Sequence, residues 1–312
     1  MTLKAPIQAK KDIRSSITPI ICLILTALML FFSKELTAAV INGMGLAAMR
    51  IIPTVFPFMI LSDLWISCIE IKSKSWTKKW FERCLGINGS ALIALITGIF
   101  CGFPLGVKAA VNLYESGMLS KNELERISPI VNLPSLAFVI SGVGVGLYGD
   151  AKVGISLYIS VFLSSLLIGF LGKRKTTNIE NGDVIIRQNF NLIDSIKNAG
   201  ISSLIMSAYI TFFSGVIGLT TGVLTNTTIS TLLSTIFEVG NSTSLIAGSQ
   251  CFSYDTKLIL TAFALGFSGL SVHLQAFSIM PNNVAKKRYL TSKLLIAFLS
   301  SLLYSLFTFT IK

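Results

Sequence analysis

The sequence has little charge. Of its 312 residues only 13% are Asp, Glu, Lys or Arg, about half the share of an average soluble domain. So few charges do not cover the surface of a soluble enzyme, and 52% apolar residues are too many for a disordered chain. Histidine is nearly absent: His273 stands alone. That excludes His-rich metal sites and argues against a Ser-His-Asp hydrolase. The five cysteines (Cys22, Cys68, Cys84, Cys101, Cys251) form no CxxC pair, which argues for buried free thiols over disulfides or a metal centre. There is no GxxxxGK[ST] sequence, so ATP-driven transport by this chain alone is not supported. Acidic residues are also scarce, 14 against 26 basic, giving a net charge of +12. On a soluble protein that excess would point to nucleic acid. Here the first test is topology, because cytoplasmic loops of membrane proteins collect Lys and Arg.

What is present is long apolar runs, with a mean hydropathy of +0.74. Lys4, Lys10, Lys11 and Arg14 precede the apolar run 17–32, which no clear cleavage site follows. It reads as an uncleaved first span with a cytoplasmic N-terminus. Three further basic groups follow: Lys72, Lys74, Lys78, Lys79 and Arg83; Lys173, Arg174, Lys175, Arg187 and Lys197; and Lys286, Lys287, Arg288 and Lys293. With all four groups cytoplasmic, the chain between them crosses an even number of times. Residues 17–32 then run outward, 36–49 form an amphipathic helix on the outer surface, and 51–71, opened by Pro53 and Pro57, return.

Residues 91–101 are apolar but about half as long as a span requires. Gly102-Phe103-Pro104-Leu105-Gly106-Val107-Lys108 follows, then a second short run, 109–114. This predicts a re-entrant hairpin with a Gly/Pro tip, since broken backbone at membrane depth survives only against protein or a wet cavity. Ser120-Lys121-Asn122-Glu123 predicts a capping box at a helix start. Residues 129–148 form a broken span carrying Asn132-Leu133-Pro134-Ser135, and 153–171 return. In the second part, 201–219 cross, 220–228 form a polar outer loop, and the short run 229–237 ends at Glu238-Val239-Gly240-Asn241-Ser242. Residues 245–248 complete a second hairpin. Residues 258–280 form a second broken span, at Gly266-Phe267-Ser268-Gly269-Leu270-Ser271, and 290–311 cross last.

The fold class expected is therefore an all-α polytopic membrane protein with two inverted-topology repeats, each holding a re-entrant helical hairpin and a broken transmembrane helix. It divides into an N-terminal helix (1–35), a first repeat (36–172), a cytoplasmic linker (173–198) and a second repeat (199–312). The paired interruptions point to a binding site at the midplane. Candidate binding residues are Gly102, Pro104, Gly106 and Lys108 at the first tip and Asn132 and Ser135 at the first break. Glu238, Asn241 and Ser242 belong to the second tip, and Ser268, Ser271 and Gln275 to the second broken span. Lys108 would be an anion ligand, or else a snorkelling lysine or the partner of Glu115 or Glu238. Glu238 would bind a coupling cation or proton, or cap backbone N–H groups. The hydroxyl and amide groups lie where half-helix N-termini offer N–H donors to an anion; interhelical hydrogen bonding is the plain alternative. Gly102–Gly106 and Gly142–Gly146 also fit GxxxG packing. His273 reads as packed rather than proton-carrying, and Asp63 is open between the cytoplasmic end and the bundle interior.

These residues carry a resemblance. The runs 101–108, 119–126, 132–135, 237–240 and 265–275, with Arg50-Ile51-Ile52-Pro53-Thr54-Val55-Phe56-Pro57-Phe58, resemble the YlbJ, or SpoVV, type of sporulation integral membrane protein. That type belongs to the nucleoside-recognition, or Gate, family. The resemblance implies a fold related to concentrative nucleoside transporters. It also implies movement of dipicolinic acid across the outer forespore membrane during sporulation, with Lys108 and the polar groups at the breaks facing a dicarboxylate. The expectation is thus a non-enzymatic transporter of a small organic anion, multi-pass in the cell membrane or outer forespore membrane. One half would rock against the other. No cofactor, metal or nucleic acid is implied; the partners are the anionic substrate, the lipid bilayer and, in a homo-oligomer, further copies of the chain. The alternatives are a nucleoside or nucleobase transporter and a non-transporting scaffold for spore-envelope assembly.

Overall fold

Apolar runs punctuated by Gly, Pro and Asn fold as helices whose ends fall at those residues. A computed structural model describes residues 13–67, 70–71, 76–173, 184–185, 191–223 and 226–311. Lys4, Lys10, Lys11, Lys72, Lys74 and most of the 173–198 linker lie outside these residues.

The chain opens with α1 (Ile13–Phe31) and α2 (Ser33–Leu46). A π-helical turn, Ala47–Ile51, leads without a break into α3 (Ile52–Ser67). Ser33–Leu64 is thus one stretch long and apolar enough to cross a membrane. This corrects the reading of 36–49 as a separate surface helix. Pro53 and Pro57 do not open a new helix. The wide π turn lies where the Pro53 ring would meet the carbonyl four residues back, so the helix passes through.

Next come α4 (Trp76–Leu85), a 3₁₀ turn (Gly89–Ala91), α5 (Leu92–Cys101), α6 (Leu105–Glu115) and α7 (Lys121–Val131). A second π-helical stretch, Phe138–Val145, runs into the short α8 (Gly146–Tyr148), followed by α9 (Ala151–Leu171) and α10 (Leu192–Val223). The remainder is α11 (Thr227–Phe237), α12 (Val239–Gly248), α13 (Tyr254–Phe267), α14 (Gly269–Ile279) and α15 (Lys286–Ile311). The helix α10 extends into the expected polar loop. Two-residue strands, Glu70–Ile71 and Val184–Ile185, pair antiparallel.

Five helical stretches are long and apolar enough to span: Ser33–Leu64, Ala151–Leu171, Leu192–Thr220, Tyr254–Ile279 and Lys286–Phe307. A sixth is reached if Trp76–Leu85 and Gly89–Cys101, bent by 103°, count as one. Neither 17–32 nor 129–148 forms such a helix among the described residues. Their apolar helical parts are Cys22–Phe31 and Phe138–Tyr148. The outer faces are apolar, as with Leu171, Ile193, Leu204 and Phe298. Such faces would be an aggregation surface in water and are the ordinary condition in lipid.

The capping box forms: Ser120 Oγ accepts from Glu123 N, while Glu123 Oε2 accepts from Ser120 N at 2.9 Å. The other oxygen, Oε1, accepts from Asn88 N at 2.8 Å. Arg126 donates to Gly86 O at 2.8 Å and to Leu85 O, closing the C-terminal end of α4. Asp63 is half-buried and accepts a 2.7 Å hydrogen bond from Ser195 of α10, which places it inside the bundle. Four described cysteines are free thiols, but only Cys101 is buried; Cys22 and Cys251 are exposed.

Without a hydrophobic force between helices in lipid, association rests on close approach of small residues. Gly154 of α9 lies against the second π stretch: a Cβ there would stand 2.7 Å from Ile140 Cα. Gly45 on α2 has open space instead. Gly154→Leu is expected to cost about 1–3 kcal/mol or more through overpacking. Gly45→Ala should be neutral or stabilising by up to about 1 kcal/mol. Thermal denaturation of the detergent-solubilised variants checks both signs.

Candidate functional site

The site is built where helices stop inside the bundle. The helix α5 ends at Gly102 (φ 77°) and α6 begins after Pro104; the two pack as a hairpin. A Cβ on Gly102 would stand 2.8 Å from Ser135 N, so the first tip lies directly on the break that follows α7. The second pair repeats this. The helices α11 and α12 meet at Glu238 and pack as a hairpin. The break between α13 and α14 lies at Ser268 (φ 75°) and Gly269 (φ 77°), and a Cβ on Gly269 would stand 3.0 Å from Glu238 N. In each pair one residue in the left-handed region lets two interrupted backbones touch.

Three of the interruptions and the helix that follows the fourth, α14, share one cavity. Gly102 and Phe103, Ser135, Glu238 and Gly240, and Val272 and Gln275 line it together with apolar side chains of α3 and α10. It offers about 30 Å³ to water centres, room for one or two water molecules. A larger cavity of about 300 Å³ adjoins it, sharing Ile51, Phe138 and Gly240.

Most polar groups at these ends have a traceable role. Glu238 is buried and caps α12. Its Oε1 accepts from Gly240 N at 2.9 Å, and Oε2 accepts from Asn241 N at 2.6 Å and Asn241 Nδ2 at 2.9 Å. Asn241 Nδ2 also donates to Ser214 Oγ of α10 at 2.7 Å. Ser135 Oγ accepts from Phe138 N at 3.2 Å. By contrast, no side chain caps α6 or α14. Ser242 Oγ and Ser268 Oγ donate to carbonyls of their own chain segments, Val239 O and Leu265 O. Ser271 is buried on α14. Gly106 serves close packing, since a Cβ would stand 2.2 Å from Val131 O.

Lys108 is exposed on α6, lines neither cavity and makes no ion pair with a described residue, Glu115 and Glu238 included. The reading of 286–293 as one cytoplasmic group also needs correction. Lys293 is wholly buried and donates to Asn132 O, the C-terminal residue capping α7, at 3.0 Å. The negative end of α7 thus receives the ammonium. Asn132 Nδ2 donates to Tyr289 OH, which lies 3.4 Å from His273 Nδ1. His273 stacks edge-on to Phe267 at 4.8 Å and to Tyr289 at 5.5 Å between ring centroids, so it is packed. Asn132 Oδ1 and His273 Nε2 have no hydrogen-bond partner among the described residues.

Sequence reasoning missed Tyr289, Lys293 and Arg50. The first two stand beside a basic run that imitates a surface signal. Arg50 lines the larger cavity, and its only signal was its position inside an apolar stretch.

Glu238→Ala removes three hydrogen bonds from a buried helix start. It is expected to cost about 1–2 kcal/mol, with Glu238→Gln, which keeps one acceptor oxygen, in between. Melting curves of both variants equal to wild type would sink the capping role.

No family model matches the chain, and no solved structure does. The chain is similar to the sporulation integral membrane protein YlbJ of Bacillus subtilis (strain 168). The two are 24% identical over 301 residues, which cover 83% of this chain and 74% of that protein. A similarity running over most of both chains, with five apolar helices of spanning length, supports placing this multi-pass membrane protein in a YlbJ-type family.

Proposed function

We propose that the protein is a secondary transporter of a small organic anion, working by alternating access with its site at the paired helix breaks. The observation that carries this reading is the convergence of both hairpin tips, the first break and the helix after the second break on one cavity. Two structurally equivalent pairs of interruptions are what inverted repeats of a Gate-type transporter would supply, with both hairpins re-entrant. The N-termini of α6 and α14, which carry no side-chain cap, would contribute partial positive charge near the cavity. The relative's name gives a sporulation setting. With the motif resemblance it makes dipicolinate the substrate of first choice and the outer forespore membrane the place.

At about 30 Å³ the shared cavity holds water and not a planar dicarboxylate, so on this reading it must widen to take its substrate. The larger adjoining cavity is the route by which it would open.

A second reading is a nucleoside or nucleobase carrier. It is favoured by the Glu238 carboxylate and the Gln275 amide at the cavity, with no cationic side chain in its lining. Purified protein in liposomes separates the two. Labelled dipicolinate should accumulate and resist competition by uridine, and a pH or sodium gradient identifies the coupling ion. Gln275→Ala should lower the flux about tenfold or more, by removing a polar group that faces the cavity. Uridine uptake without dipicolinate uptake would transfer the assignment to the second reading, and no flux of either would leave a scaffold.

A further inference from the structure

We propose that Arg50 is the anion-recognising residue of this protein, and that the cavity it lines is a binding site for a small carboxylate ahead of the paired breaks. The proposal rests on the transport reading for its physiological meaning and for the first of its two tests, but not for the second.

The anion reading needs a cation facing the pathway. Lys108 lines neither cavity, and Lys293 is engaged with Asn132 O at the end of α7. Arg50 stands near the middle of the 32-residue stretch Ser33–Leu64. At the helical rise it is about 25 Å from one end and about 21 Å from the other. An arginine side chain cannot snorkel so far, so a charge at this position must face protein polar groups or water. Arg50 is exposed, and its side chain makes no hydrogen bond or ion pair with a described residue. What it faces is the cavity of about 300 Å³.

The rest of that lining suits a carboxylate. Ser141 of the second π stretch and Ser244 of α12 present hydroxyl groups, whereas the hydroxyls of Thr54 and Thr243 donate to carbonyls of their own helices. No Asp or Glu belongs to it. Both π-helical segments of the described chain border it, Ala47–Ile51 and Phe138–Val145. Single π turns inside α-helices recur at functional sites because they displace side chains from the regular helical face. A guanidinium takes a carboxylate by two parallel hydrogen bonds, which a lysine cannot reproduce. Gly240, Ile51 and Phe138 belong to both cavities, so an anion held at Arg50 lies next to the Glu238 tip.

Two measurements on the full chain test this. In liposomes, with labelled pyridine-2,6-dicarboxylate, Arg50→Ala should raise the half-saturating concentration roughly tenfold or more. Arg50→Lys should fall between, and Lys79→Ala, an exposed control on α4, should match wild type. Wild-type half-saturation in Arg50→Ala overturns the proposal. In detergent, Ser141→Cys, in a background where exposed Cys22 and Cys251 are serine, is reacted with a charged thiol reagent. Pyridine-2,6-dicarboxylate should slow the reaction several-fold and uridine should not; equal rates overturn the proposal. Protection without flux would sink the transport reading and leave the site standing. Flux with unchanged affinity in Arg50→Ala and no protection would do the reverse.

Discussion

A helix that stops inside an apolar bundle leaves backbone N–H and C=O groups with no water to take them. The described residues hold four such interruptions, and the rest of the arrangement depends on how they are satisfied. The solution is mutual. Gly102 brings the first tip onto the backbone of Ser135, and Gly269 brings the second broken helix onto the backbone of Glu238. Side chains then complete the ends: Ser135 and Glu238 at helix starts, Lys293 at the end of α7. A single methyl group at either glycine would separate the backbones and leave their polar groups unsatisfied. The site exists because of this packing constraint.

The same constraint sorts the charges. A charge within the bundle survives by meeting a helix end of opposite sign, by hydrogen bonding, or by facing a cavity. Glu238 meets the positive end of α12 and Lys293 the negative end of α7. Asp63 is bonded to Ser195. Arg50 alone among these four has a cavity in front of it and no side-chain partner. A carboxylate already seated on α12 also makes that helix start unattractive to an incoming anion. An anion entering here would therefore be favoured on the Arg50 side of the tip.

Much of this was legible in the sequence because glycine, proline and short apolar runs announce where a helix must stop. Gly102 to Pro104, the Ser120–Glu123 box, Asn132 to Ser135 and the break at Ser268 all fall where the residues place them. Three features were hidden for physical reasons. Pro53 reads as a helix start, yet a π turn ahead of it lets α2 run into α3. Lys293 follows Lys286, Lys287 and Arg288 in the sequence, and one further turn of α15 carries it from the surface into the core. Lys108 follows a tip directly, but on α6 its side chain faces away from both cavities. In each case local sequence gave the position, and helical phase decided the direction.

The bonds around α15 bear on how a transporter of this kind would move. Lys293 and Tyr289 hold Asn132, and Glu125 of α7 accepts from Ala285 N at 2.9 Å, just ahead of α15. Tyr148 OH lies 2.6 Å from Thr261 Oγ1 of α13. These links join the first broken segment to the end of the chain, across the division near residue 198. Rocking the two sequence halves as rigid bodies would strip a buried ammonium of its only described acceptor, at a cost of several kcal/mol. A motion that keeps α7, α13 and α15 together while the hairpins shift would spare these bonds, and would break instead the bond of Asn241 Nδ2 to Ser214 Oγ and that of Lys257 Nζ to Ala247 O. In the transport reading, the unit that stays fixed would therefore be built from both halves, and the hairpins would be the elements that move.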